Sequence, residues 1–224
     1  MSKNAPSSLI HLLERNRIWS QDLRARDPEF FSRLASQQAP KYLWIGCSDS
    51  RVPANQIIDM APGEVFVQRN VANVVVHTDL NCLSTMQFAV DVLKVEHILV
   101  VGHYGCGGVK SVLDGARHGL VDNWLRHVGD VAQKHANSLA SLDPQARHAR
   151  LCELNVIEQV VNVAQTTVVR DAWERAQNVT VHGWVYSLEN GLVNDLGMEI
   201  TGDMDLTECY AHALHRLEHA EAEQ

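Results

Sequence analysis

The chain has 224 residues, 46% hydrophobic and 21% charged, enough for one large domain with a substantial core. Its formal net charge of −8 argues against nucleic acid or an anionic membrane as a partner, and no apolar run approaches the ~20 residues that span a bilayer. The first residues carry one lysine and an apolar stretch broken by His11, which is no signal peptide, so the cytoplasm is the expected compartment.

Residues 8–36 read as a helical arm split at Asp27-Pro28. A strand is expected at 41–46, a short helix near Pro53 and a second strand over 64–68. Residues 80–95 have helical spacing, with Asp79 or Thr78 available as the cap. His97 to Gly102 is an aliphatic run of the kind buried on both faces of a parallel sheet, and Gly107 and Gly108 open another helix. Residues 119–176 read as mostly helical, interrupted at Asp143-Pro144. A fourth strand over 179–188 meets Glu189-Asn190-Gly191, a hairpin signal, so 192–200 should pair antiparallel at an edge. The last helix is placed at 204–221. With no repeat, linker or clear boundary, residues 1–224 read as a single α/β domain. Its sheet is mostly parallel, about four strands plus one antiparallel edge strand, and helices flank it.

The chemistry concentrates at two strand ends. Cys47, Asp49 and Arg51 follow the first strand, and His103 and Cys106 follow the third. Two thiols, an imidazole and a carboxylate form a soft ligand set suited to zinc. Gly105 lets the backbone turn so that His103 and Cys106 face one point, and Cys47 joins them if the two strands are neighbours. Three protein ligands leave a fourth position open, as a catalytic zinc requires. Any one of these residues alone reads more readily as a core side chain ending a strand, but the set does not. No Cys-x-x-Cys pair supports a four-cysteine structural zinc. Cys82, Cys152 and Cys209 read as inert packing.

Cys47-x-Asp49-x-Arg51 followed by His103-x-x-Cys106-Gly107-Gly108 resembles the signature of the β-class carbonic anhydrases. Asp27-Pro28-Glu29-Phe30-Phe31, Arg69-Asn70-Val71-Ala72-Asn73, Cys152-Glu153-Leu154-Asn155-Val156 and His182-Gly183-Trp184 are also similar to that family, over roughly residues 18–215. The resemblance is to bacterial members in particular. It implies reversible hydration of carbon dioxide to bicarbonate and a proton, with one zinc per subunit lowering the pKa of its water to ~7. Two thiolate ligands should hold that pKa higher, which predicts an alkaline activity profile. Arg51 would hold Asp49, which in turn orients the nucleophile. When Arg51 lets go, Asp49 can become a fourth zinc ligand in a closed, inactive state that low pH favours. Gln38 matches a substrate-side donor reaching across a dimer interface, and Gly107 and Gly108 would offer backbone amides to bicarbonate. Trp44, Arg69 and Tyr186 correspond to a triad that, in a bicarbonate-regulated subgroup, binds bicarbonate away from the zinc and stabilises the closed state. The family also implies a homodimer or homotetramer, with the arm packed over a neighbouring subunit.

Two other functions fit less of the pattern: a carbon disulfide or carbonyl sulfide hydrolase on the same scaffold, and a non-catalytic bicarbonate-binding protein. Of the remaining histidines, His11, His118, His127, His135, His148, His212, His215 and His219 read as surface residues. His77 reads as a candidate near the zinc.

Overall fold

The computed structural model describes residues 9–219, so the first residue of the expected arm and residues 220–221 of the expected last helix lie outside the described residues. The chain divides into two compact units, Met1–Gln38 and Ala39–Gln224. In the first, α1 (Ile10–Arg26) stops where Asp27 turns extended, and α2 (Phe30–Ser36) follows. The Asp27 carboxylate takes the Glu29 N–H at 3.2 Å and pairs with Arg33, which stabilises the break that Pro28 imposes. Trp19 packs edge-on against Phe31 with centroids 5.7 Å apart. Yet α1 buries none of its residues, and Leu9, Ile10, Leu12, Leu13, Ile18 and Trp19 are each at least 48% exposed.

The second unit begins with β1 (Tyr42–Cys47), the single turn α3 (Ala54–Ile57) and β2 (Val65–Asn70). Next come α4 (Leu80–Gln87), β3 (His97–His103), α5 (Gly107–Leu113), α6 (Val121–Lys134) and α7 (Ala136–Ala140). The remainder is α8 (Pro144–Ala164), α9 (Thr167–Glu174), β4 (Thr180–Tyr186), β5 (Val193–Ile200) and α10 (Leu206–His219). Asp79 caps α4 by accepting the Asn81 N–H, and Asp143 caps α8 through the Gln145 and Ala146 N–H groups with Pro144 in the first turn. The helix expected over 80–95 is not uniform. After Gln87 it widens into a π-helical turn, Phe88–Val92, closed by the Leu93 N–H on the Phe88 carbonyl at 3.0 Å. The wider turn buries Ala89 and Val90, consecutive in sequence, together.

The strand order is β2-β1-β3-β4-β5, parallel except for the antiparallel β4–β5 pair. This is the α/β architecture read from the apolar runs and the Asn190-Gly191 turn. The chain leaves β1 toward β2 on one side and then crosses to β3 on the other. The carboxyl ends of β1 and β3 therefore flank a topological switch point, where such sheets gather ligands. Leu43, Ile45, Ile98 and Val100 lie in the main core cluster, which also takes in the buried residues of α8, and are wholly buried, each contributing about 1.5–3 kcal/mol. Trp44, Leu99 and Val101 point to the other face, in a smaller cluster with Val52 and Ala54.

One ionic cluster joins the helical layer. Glu158 of α8 accepts hydrogen bonds from His135 and Lys134, both at 2.8 Å, and from the Tyr210 hydroxyl at 2.6 Å. Burial raises the Glu158 pKa, but the bonds from His135, Lys134 and Tyr210 outweigh it and hold the group at about 2. A depressed folded-state pKa gives stability that is complete above the unfolded value of 4.5 and disappears as pH falls toward 2. Glu158→Gln is therefore expected to cost on the order of 3 kcal/mol at pH 7 and to flatten the acid limb of the stability curve. Denaturant titrations from pH 7 down to 2 check this; parallel curves for variant and parent would refute it.

Candidate metal centre

β1 and β3 are hydrogen-bonded neighbours with Gly46 opposite Val101, so Cys47 ends its strand level with Gly102 and beside His103. Gly105, at φ +71°, supplies the left-handed turn that returns Cys106 toward the same point. The Cys47 and Cys106 sulfurs and a His103 ring nitrogen all lie within 4.8 Å of one another, and all three residues are buried. Among the described residues this is the one such cluster of three or more metal-ligating side chains.

The donors fit a divalent cation. His103 Nδ1 donates to the Tyr104 carbonyl at 3.0 Å, which leaves Nε2 with a free lone pair. That Nε2 is buried and has no hydrogen-bond partner, a costly state that a metal ion relieves. The two sulfurs are 4.0 Å apart. The Cys106 thiol stabilises a Cys47 thiolate and lowers its pKa, against the opposing effect of burial. The same contact, with burial, raises Cys106. The second proton therefore leaves readily only when a cation shares the site. Cys82 and Cys152 behave as expected of packing residues, with burial pushing both thiols up to about 12.

Asp49 lies beside this trio, its Oδ2 3.7 Å from His103 Nε2. Arg51 gives Oδ1 its backbone N–H at 2.9 Å and its Nε at 3.0 Å, and gives Oδ2 its Nη2 at 2.7 Å. Arg51 thereby holds the Asp49 carboxyl far below the usual range, so it is ionised at any working pH. Gln38 is exposed at the end of the first unit. Gly107 is exposed and open on its Cβ side, whereas a Cβ on Gly108 would meet Val71, Ala72 and Leu125 at 3.1–3.2 Å. Close packing is what Gly108 visibly serves.

Trp44 and Tyr186 fall in the smaller apolar cluster. The Trp44 indole lies over Gly46, where a Cβ would come within 2.2 Å of its Nε1, and that Nε1 is buried without a partner. Arg69 binds backbone instead, donating from Nε to the Cys47 carbonyl at 2.9 Å and from Nη2 to the Asp49 carbonyl at 2.6 Å.

Three histidines depart from their expected settings. His135 is engaged with Glu158, and His148 donates from Nε2 to the Cys106 carbonyl at 2.9 Å, so neither is a free surface residue. Their helical segments read as polar in sequence, and nothing there marks these two apart. His77 bonds the Asn162 carbonyl, at the opposite end of α8 from His148 and about 20 Å away along the helix axis. It is not near the metal centre.

A sequence model of the carbonic anhydrase family matches residues 42–193. The chain is 47% identical over 192 residues to a carbonic anhydrase of Emericella nidulans, covering 85% of this chain and 84% of that one. The Coccomyxa beta-carbonic anhydrase, solved with acetazolamide, superposes with a TM-score of 0.84 at 44% identity, covering 92% of this chain and 98% of that one. A tetrameric beta-carbonic anhydrase of Sordaria macrospora gives a TM-score of 0.82 at 38% identity, over 88% of this chain and all of that one.

Proposed function

Since the chain belongs to the β-class carbonic anhydrases, we propose that Cys47, His103 and Cys106 hold its zinc and that Asp49, held by Arg51, orients the nucleophile. The protein is an enzyme of this class, interconverting carbon dioxide and bicarbonate, and its cofactor is zinc. When bound, zinc acts as a Lewis acid that makes water a usable nucleophile near neutrality. With three Arg51 donors on it, the Asp49 carboxylate can only accept hydrogen bonds. It therefore engages an oxygen that still carries a proton and turns that oxygen's lone pair toward the substrate carbon. Arg51 prevents the carboxylate from rotating, so little reorganisation accompanies the reaction.

The observation that carries this reading is the convergence of three buried donors around an unpartnered imidazole nitrogen, with the Asp49–Arg51 pair alongside. Stopped-flow hydration of carbon dioxide, with zinc quantified in the same preparation, tests it. Zinc-loaded protein without hydration activity would overturn it.

The finer reading is regulation by bicarbonate at Trp44, Arg69 and Tyr186. In its support, the buried Trp44 N–H lacks an acceptor, and Arg69 is tied to the carbonyls of Cys47 and Asp49. An anion that draws Arg69 away frees the Asp49 segment to leave Arg51 and turn toward the metal, excluding water. Asp49 stays ionised far below neutrality, so the proton that favours this closed state is taken up elsewhere. Tyr186→Phe keeps the ring and removes one donor, and bicarbonate inhibition is expected to weaken about tenfold. Inhibition curves for variant and parent that coincide would discard the regulatory site. Trp44→Val should act in the same direction but also opens a cavity in the core.

The exposed apolar residues of α1 support self-association through the arm, with Gln38 supplied to a second copy's substrate. Among the described residues no helix is long and apolar enough to cross a membrane.

A further inference from the structure

His103 and Cys106 are buried at the two ends of their loop, but the exposed Gly105 between them adds no packing. Gly105 has no side chain, and its nearest neighbour on the Cβ side is Leu188 at 3.9 Å. α8 supplies what the loop lacks. The Tyr104 hydroxyl donates to Glu153 at 2.7 Å, and Arg150 holds Glu153 at 3.1 Å while reaching the Leu217 carbonyl of α10 at 2.7 Å. His148 bonds the Cys106 carbonyl itself. A carbonyl only accepts, so Nε2 of His148 carries the proton. The second lone pair of that carbonyl takes the Lys110 N–H at 3.0 Å as α5 begins. With both lone pairs engaged, the peptide plane after Cys106 is held, which anchors the Cα from which the Cys106 side chain reaches the site.

We propose that His148 is a positioning residue that seats Cys106 for zinc. This rests on the assignment of Cys47, His103 and Cys106 as the metal ligands. A partner that orients a ligand typically contributes 10–100-fold to metal affinity. His148→Phe fills the same space without a donor, and its zinc affinity, measured by competition with a chromophoric chelator, is expected to fall about 10–100-fold. His148→Gln places an amide N–H at similar reach and should restore affinity close to the parent's. In cobalt-substituted protein the sulfur-to-metal charge-transfer band should shift in the Phe variant and return in the Gln variant. Metal-free forms of all three should melt together. Equal zinc affinity in parent and Phe variant, or a parallel drop in metal-free melting temperature without rescue by Gln, would overturn the role. In the unsubstituted holoenzyme, ¹⁵N NMR should report the Nε2–H tautomer for His148, and the Nδ1–H tautomer would overturn it independently of any variant. A parent protein that binds no zinc would instead sink the ligand assignment, a separate failure.

Discussion

Cys47→Ala is expected to lose zinc on purification and to lower kcat/KM for carbon dioxide hydration by roughly 10³-fold or more. Three side chains converge here, and alanine leaves two ligands and removes one of the two thiolate charges that balance a divalent ion. Alanine also removes the Cys47 sulfur 4.0 Å from that of Cys106, so the remaining thiol loses its neighbour in the site. The fold should survive, because β1 retains its ladder to β2 and β3. Zinc analysis beside stopped-flow rates checks the prediction. A variant that keeps stoichiometric zinc and parental turnover would show that the metal is held elsewhere.

The second large effect separates chemistry from metal binding. Asp49→Asn should keep zinc near one per chain and still lower kcat by about 10²–10³-fold, the range for removing one preorganised polar group. Asparagine matches the shape of aspartate but is neutral, and its amide N–H₂ donates where the carboxylate only accepted. The nucleophile loses the partner that selects its protonated side, and the Arg51 guanidinium, which gives Asp49 two hydrogen bonds, is left with an unbalanced charge. Full activity in this variant would eliminate the orienting role. Loss of zinc would instead place Asp49 among the structural supports of the metal.

These effects trace to residues that stand out in the sequence for a physical reason. β1 and β3 are buried runs, so their apolar residues are contiguous, and the polar residues that end them are conspicuous. Glycines around His103 and Cys106 mark the turn that lets them converge. The supports were hidden for the opposite reason. His148, Glu153 and Glu158 sit on a helix whose spacing says which face is buried but not which carbonyl or carboxylate each side chain meets. The π-helical turn after Gln87 was invisible because its residues keep an apolar pattern compatible with an ordinary helix. Arg69 was legible only by resemblance, as part of a bicarbonate triad away from the zinc. Its grip on the Cys47 and Asp49 carbonyls depends on β2 lying alongside β1, which periodicity does not report.

The switch point between β1 and β3 has one more implication. Neighbouring strands in any sheet are about 4.8 Å apart, a spacing set by backbone hydrogen bonds and indifferent to side-chain identity. Ligands carried on adjacent strand tips inherit that spacing as a ruler. Insertions in the outer helices and loops can thus drift over evolutionary time, reshaping the entrance and the surface, while the bond lengths available to the cation stay put.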